Sequence, residues 1–166
     1  MPTTELLQAV LPSEGWYCIV GLKKGGTPKQ TFHETLDAAE GEITRLLEQK
    51  YDVYFACSKY ESNTSRTQGN AKYIKAFWLD IDCGEGKDYP DQATGLQALH
   101  KFCKELKLPK PSIVNSGRGL HVYWRLTKTV SAEEWKPVAE RIKYLCEENE
   151  FYADPARTAD TASILR

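Results

Sequence analysis

The order of strand-like and helix-like segments predicts an α/β (α+β) fold made of two consecutive units. Three observations carry this prediction, and the first two are a β-α-β pattern before residue 58 and a β-α-β-β-α-β pattern after residue 72. The third is the polar stretch 58–72 between them, which is typical of a long surface loop. At 166 residues the chain can form one domain, or two small lobes (1–72 and 73–166) around one cleft.

The first unit is expected to be a β-α-β arrangement. Residues 15–22 are apolar and aromatic and predict a strand, and the glycines and proline within 23–29 predict a loop after it. Residues 35–50 place apolar side chains at helical spacing, with Thr35 as the N-cap. Residues 52–57 predict the second strand of this unit.

The second unit is expected to follow the pattern of a ferredoxin-like, or split β-α-β, sheet. Ser131 and Glu134 have the spacing of a capping box before its last helix, and Pro137 predicts a kink near the start of that helix. The predicted strands are 76–83, 112–115, 120–126 and 151–154, and the predicted helices are 92–106 and 132–149. Because such a sheet supports many functions, the fold alone decides little about activity.

Composition and charge exclude several classes of protein. A hydrophobic fraction of 41% and a charged fraction of 27% are ordinary for a globular protein. A net charge of −1 gives no general attraction to nucleic acid or an anionic membrane, so any nucleic-acid contact must come from a local, salt-sensitive patch. No apolar run reaches the roughly 18 residues of a membrane span, and the N-terminus lacks the layout of a signal peptide. Five scattered cysteines predict reduced thiols in a cytosolic protein, without a disulfide framework or a zinc site.

The most informative stretch is Ala-Phe-Trp-Leu-Asp-Ile-Asp-Cys, residues 76–83. Strand side chains alternate between faces, so Asp80 and Asp82 should point to the same side with Cα atoms about 6.5–7 Å apart. Two carboxylates that close repel each other, and a divalent cation between them would remove that cost. The alternative is a pair of exposed acids in the loop that follows the strand.

A second stretch is the predicted tight turn Ser116-Gly117-Arg118-Gly119, which leads into His121. The glycines permit close approach of a ligand, and successive backbone N–H groups in such a turn can form an anion site. The arginine can bind a phosphate in bidentate fashion. These parts suit a nucleotide triphosphate, although a Gly-x-Gly hairpin turn is also common without a ligand.

A third stretch carries the acids Asp154 and Asp160. Asp154 follows a hydrophobic run, as Asp82 does, and is the preferred candidate for a third metal-binding carboxylate. Asp160 is its competitor. Either acid could instead cap a turn or pair with Arg157 or Arg166.

Taken in order, the three stretches resemble the archaeo-eukaryotic primase superfamily, and within it the primase-polymerase branch of phages, plasmids and helicase-primases. The motifs of that family are a hydrophobic-Asp-x-Asp strand, a small-x-His turn and a hydrophobic-Asp. They map here onto Asp80 and Asp82, onto His121 and onto Asp154. The resemblance covers about residues 16–166 and has most of its weight after residue 76.

The resemblance implies a two-lobed primase-polymerase fold with an RRM-like second unit and a central cleft. It implies a nucleotidyltransferase that makes and extends primers on single-stranded DNA, with NTPs or dNTPs as substrates and two Mg²⁺ or Mn²⁺ ions as cofactors. It also implies a phage or plasmid replication protein in the cytoplasm, with a helicase domain after the catalytic one. Family sequences usually continue with Pro-Gly-Thr after the Leu-Arg at which this chain stops, so a longer protein is expected.

The same resemblance assigns roles to individual residues. Asp80, Asp82 and Asp154 are expected to hold the metal ions, with His121 beside them. Gly119 departs from the Ser found in many relatives, and Ser116 is the candidate to supply that hydroxyl. The expected nucleotide-binding residues are Ser116, Gly117, Arg118, Gly119, His121 and Arg166, and the candidates for stacking on a base are Tyr73, Tyr123 and Trp124.

Two other functions remain open from the sequence. One is a replication-initiator domain that binds single-stranded DNA without chemistry. The other is a metal-dependent nicking endonuclease, which would need an activated nucleophile. The histidine is not part of a His-hydrophobe-His pair, and the last helix offers only Tyr144, so the endonuclease is the least favoured.

Overall fold

The computed structural model describes residues 3–166, which form two four-stranded sheets and five helices. The predicted α+β class is confirmed. The helices are α1 (Thr3–Val10), α2 (Leu36–Glu48), α3 (Gln92–Glu105), α4 (Ala132–Glu148) and α5 (Pro155–Thr158). The strands are β1 (Tyr17–Leu22), β2 (Lys29–His33), β3 (Asp52–Ala56), β4 (Lys59–Tyr60), β5 (Ala71–Asp82), β6 (Ser112–Asn115), β7 (Gly119–Ser131) and β8 (Ile164–Leu165).

The described chain divides into two compact units that are not continuous in sequence. The first contains the residues up to Lys75 together with Thr127–Trp135 and Thr161–Arg166, and the second contains Ala76–Leu126 and Lys136–Asp160. The first break lies between Lys75 and Ala76, and the expected lobes 1–72 and 73–166 remain a prediction. The return of two later segments to the first unit is a feature that the sequence pattern does not predict.

The first unit is built on the sheet β2-β1-β3-β8, whose strand pairs are all antiparallel. Helix α2 contacts β1, β2 and β3 and buries Leu46. The predicted N-cap is confirmed, because the Thr35 hydroxyl accepts a hydrogen bond from the Ala38 amide at 3.2 Å. A small apolar core lies in this unit around Cys18, Val20 and Ala56.

The second unit holds the functional candidates on strands that bury one face. Leu79 and Ile81 of β5 join Leu120 and Val122 of β7 in a core that α3 and α4 complete. Because strand side chains alternate, Asp80 is directed to the face opposite that core. The predicted capping box of α4 is confirmed: the Ser131 amide donates to the Glu134 carboxylate at 2.9 Å, and the Glu134 amide donates to the Ser131 hydroxyl at 3.1 Å.

The strand predicted at 151–154 is wrong. This segment has no strand pairing, and α5 begins directly after it at Pro155, which lacks the N–H that a ladder needs. Asp154 caps α5, since its Oδ1 accepts a hydrogen bond from the Ala156 amide at 2.9 Å. The last strand of the chain is β8, which pairs with β3 in the first sheet and does not complete a β-α-β-β-α-β sheet.

Three short elements escape the sequence pattern. Strand β2 is polar, β4 has two residues, and α1 precedes the first predicted strand. The polar stretch 58–72 is an irregular loop only in part, since β4 and the first residues of β5 pair across it. Within residues 3–166, no helix combines the length and apolar character that crossing a bilayer requires.

Candidate active site

The two acids of the β5 strand end differ in exposure. The side chain of Asp80 is 17% exposed, whereas that of Asp82, at the last residue of the strand, is 57% exposed. Ile81 between them is fully buried in the core of the second unit. Alternation along the strand therefore directs both carboxylates away from the core, with Asp80 the more enclosed.

Asp154 lies beside Asp80 in the structure. Its amide donates a hydrogen bond to the Asp80 carbonyl oxygen at 2.8 Å. The two carboxylates also share one cation, because the Arg157 Nε is 3.3 Å from Asp80 Oδ2 and 3.2 Å from Asp154 Oδ2. Both of the alternative roles considered for Asp154, a cap and an ion pair with Arg157, are thus present, and they keep it next to the acidic strand.

The imidazole of His121 faces the same carboxylate. The residue is 3% exposed, and its Nε2 is 3.6 Å from Asp80 Oδ1, which is longer than a normal hydrogen bond. Burial, followed by the neighbouring Arg157 charge, lowers the pKa of His121 to about 4. The ring is therefore neutral at pH 7, and its buried Nδ1 has no hydrogen-bond partner within the described part of the chain.

The ionised form of Asp80 is held in an unfavourable setting. Burial raises the pKa of Asp80 to about 6, and the carboxylates of Asp82 and Asp154 add to this rise. Arg157 and Lys87 act in the opposite direction without cancelling it. An additional cation would stabilise the ionised carboxylate of Asp80, because this carboxylate is largely buried and lies near two others.

The carboxylate oxygens of the site are chemically suited to a divalent cation, but their present positions are not. Carboxylate oxygens are the ligands that Mg²⁺ and Mn²⁺ prefer. As the side chains stand, however, no three Asp, Glu, His or Cys residues between 3 and 166 are grouped so that they could hold a metal. Protein cations contact the acids instead: Lys87 Nζ is 2.9 Å from Asp82 Oδ2, and Arg157 bridges the other two. The predicted metal ligands therefore remain predictions.

The glycine turn has a different internal geometry from the expected anion site. The Gly117 amide donates to Asn115 Oδ1 at 2.7 Å, and the Gly119 amide donates to Ser116 Oγ at 3.0 Å. Both amides are thus already used within the turn, and a phosphate would have to displace these acceptors. The side chain of Arg118 is exposed, while its carbonyl accepts from the Cys83 amide at 3.1 Å.

Gly119 is required by the packing of the sheet itself. A Cβ at this position would lie 2.0 Å from the Ile81 carbonyl oxygen of β5. Gly117, in contrast, has a φ of +87° and open space around the missing Cβ. One glycine therefore allows the backbones at Ile81 and Gly119 to approach, and the other allows the turn to reverse.

Several other predicted contacts have structural roles. Tyr123 is only 1% exposed, so its ring cannot stack on a base in this conformation. Trp124 donates its indole N–H to the Pro109 carbonyl at 2.8 Å, which gives this side chain a partner within the protein. Arg166 pairs with Asp52 at 2.6 Å within the first unit, and its contact with a nucleotide stays a prediction, as does stacking by Tyr73.

A cavity of about 780 Å³ opens beside the acids in the second unit. Its polar lining is mostly acidic, with Lys87 and Lys143 as the basic exceptions. An unaccompanied triphosphate would be repelled there, so a nucleotide would need cations to enter. The pairing of Lys87 with Asp82 is not among the predictions from the sequence, although the position of Lys87 in the polar turn after the strand indicates it. The acids of the cavity wall are Asp82, Asp88, Glu147, Glu150 and Asp154.

The chain resembles a known protein in structure but not in sequence. No family model matches the sequence, and no curated protein matches it. The structure is similar to the AEP domain of the primase-polymerase (PrimPol) of cyanophage S-2L, with a TM-score of 0.63 and 16% sequence identity. The match covers 92% of this chain and 72% of that domain. The chain therefore has the fold of a primase-polymerase AEP domain.

Proposed function

We propose that this chain is the catalytic domain of a DNA primase-polymerase, which transfers nucleotides from NTPs or dNTPs to a 3′-OH on a single-stranded DNA template. The observation that carries the proposal is the convergence of Asp80, Asp154 and His121. These residues come from three separate parts of the chain, and both Asp154 and His121 contact Asp80. The shared fold adds support, because a known primase-polymerase domain has the same architecture.

Asp80, Asp82 and Asp154 are the residues that would hold Mg²⁺ or Mn²⁺. When bound, such ions lower the pKa of an attacking hydroxyl and neutralise a leaving pyrophosphate. The carboxylates supply the oxygen ligands, and their mutual repulsion favours ion binding. Asp154 is proposed in preference to Asp160, because its carboxylate shares a cation with Asp80.

His121 would bind and orient a phosphate group as a neutral ligand. Its low pKa keeps the ring uncharged at pH 7, so it can donate one hydrogen bond without adding charge. The exposed Arg118 side chain and Lys87 would contribute positive charge to triphosphate binding. The Ser116 hydroxyl already accepts from Gly119 and keeps one proton to donate.

The test is template-directed nucleotide incorporation by the purified chain with Mn²⁺ or Mg²⁺. The Asp80→Asn, Asp82→Asn double variant should lose incorporation by at least about 100-fold, since metal binding contributes several kcal/mol to such reactions. Asp37→Asn, an exposed acid of α2, is the matched control and should retain wild-type activity. Unchanged synthesis by the double variant would contradict the proposal.

A non-catalytic single-stranded DNA-binding domain is the second candidate. It is favoured by the ion pairs of Lys87 and Arg157, which satisfy the acids without a metal. It predicts that DNA binding is unaffected by a chelator and that labelled nucleotides are not incorporated under any metal condition. Incorporation that requires both template and metal would exclude it.

A further inference from the structure

We propose that Arg157 is a built-in counter-ion that competes with the divalent cation for Asp80 and Asp154. The inference rests on the proposed cation site and adds a residue that controls its affinity. Its basis is the position of one guanidinium nitrogen: the Arg157 Nε is 3.3 Å from Asp80 Oδ2 and 3.2 Å from Asp154 Oδ2. Oxygens that a metal would use are therefore directed at a protein cation.

The backbone of Arg157 is held by hydrogen bonds, whereas its side chain is partly exposed to solvent. Its carbonyl accepts a hydrogen bond from the buried Trp78 indole at 2.9 Å, and its amide donates to the Asp154 carbonyl at 3.2 Å. The side chain is 35% exposed. Because the main chain is anchored on both sides, the guanidinium can rotate toward solvent without moving Asp154 or β5.

The charges of the site set Arg157 against a divalent ion. Three acids, Asp80, Asp82 and Asp154, are accompanied by Arg157 and Lys87 in these contacts. A divalent ion placed among the acids would be repelled by a guanidinium that stayed on the same oxygens. Cation binding and the Arg157 contacts therefore oppose each other, and part of the binding free energy of the ion is used to weaken the contacts of Arg157.

The competition makes the acids usable as a site. Without a cation, the enclosed carboxylate of Asp80 and the two carboxylates beside it would repel one another and destabilise the strand end. A planar guanidinium can contact two carboxylates at once, which a compact ammonium does less well. In the absence of a divalent ion, Arg157 thus keeps the carboxylates of Asp80 and Asp154 close together. Arg157 is therefore a positioning residue.

The experiment measures the affinity for Mn²⁺ alone, by electron paramagnetic resonance of the free ion, without nucleotide or DNA. Arg157→Gln should bind Mn²⁺ at least about 5-fold more tightly than the wild-type chain, which is in the range of typical coupling between sites. Arg157→Lys should fall between the two. Arg141→Gln, which removes an exposed arginine of α4, is the control and should match the wild type. Equal or weaker binding by a folded Arg157→Gln variant would overturn the proposal.

A measurement on the wild-type chain covers the case in which Arg157→Gln does not fold. The Arg157 Nε–H signal, assigned by its loss in Arg157→Lys, is followed by NMR during titration with diamagnetic Mg²⁺. The signal should shift and exchange faster with water as the carboxylates are released, and an unchanged signal at saturation would overturn the proposal. Asp80→Asn should abolish ion binding in both experiments. If ion binding follows these expectations but no nucleotide is incorporated, the counter-ion inference stands and the polymerase function fails.

Discussion

Each of the two units encloses a charged side chain, Lys59 in the first and Asp80 in the second, and the two side chains have different partners. Lys59 of the first unit is fully buried; its Nζ donates to the Ser13 carbonyl at 3.0 Å and lies 3.7 Å from the centre of the Tyr17 ring. Asp80 of the second unit lies near two further carboxylates and contacts the partly exposed Arg157 side chain.

The difference distinguishes a charge with favourable partners from a charge that is a candidate for ligand binding. Lys59 contacts a backbone carbonyl and an aromatic ring, and neither partner repels its charge. Asp80 has like charges as neighbours, and a further cation would relieve their repulsion. A buried charge with fixed partners indicates structure, and one with repelling neighbours indicates a binding site.

The largest expected contrast is in activity. Asp80→Asn should reduce template-directed incorporation by at least about 100-fold, because it removes a ligand of the proposed ions. Lys59→Met should leave the rate within about 2-fold of wild type, a change too small to indicate a role in the chemistry. Single-turnover incorporation assays on both variants measure this contrast, and a comparable loss in Lys59→Met would break the comparison.

The second contrast concerns backbone packing in the two units. Gly119→Ala should lower the free energy of unfolding by about 2–3 kcal/mol, since its Cβ would meet the Ile81 carbonyl oxygen at 2.0 Å. Gly21→Ala in β1 is the control, because its Cβ would meet only side-chain atoms of Leu46 and Tyr51 at 3.1 Å. Its cost should stay below about 1 kcal/mol. Urea denaturation of the two variants tests the difference, and equal costs would contradict it.

Neutralising Asp80 should stabilise the chain in the absence of metal. The folded-state pKa of about 6 lies above the ordinary aspartate pKa of 3.8, so the folded state binds the proton more tightly. The stability contributed by this group is therefore present below pH 3.8 and lost as the pH rises through 6. Asp80→Asn should raise the free energy of unfolding by about 1–3 kcal/mol at pH 8, with no gain at low pH. Urea denaturation in the presence of a chelator measures this gain. A loss of stability at pH 8 would contradict the proposed destabilisation by the ionised Asp80.

The smallest expected effect is that of Lys59 on stability. Burial lowers the pKa of Lys59 to about 8, so the folded state binds its proton less tightly than the unfolded chain. The wild-type chain should therefore gain stability between pH 8 and 10.5, relative to a variant without the amine. Lys59→Met should be more stable by about 1–2 kcal/mol at pH 7, and this gain should shrink over that interval. Urea denaturation at pH 7, 9 and 10 measures it, and a gain that grows with pH would contradict the explanation.

Much of the fold follows from local sequence patterns. The caps at Thr35 and Ser131 and the buried residues of β5 are fixed by side chains close in sequence, and they are found as predicted. The segment 151–154 was misassigned because its apolar residues suit a strand, while Pro155 and the capping carboxylate of Asp154 start a helix. The two-residue strands β4 and β8 carry too few side chains for any periodicity.

The sequence by itself determined which residues could do chemistry: the alternation around Ile81 sets Asp80 and Asp82 on one face, and the glycine turn precedes His121. Only the tertiary structure decided which of these groups meet. Arg157, three residues after Asp154 in the chain, reaches Asp80 only because the Asp154 amide is bound to the Asp80 carbonyl. The turn amides found acceptors in Asn115 and Ser116. Contacts between residues far apart in the chain depend on packing, which periodicity along one segment does not encode.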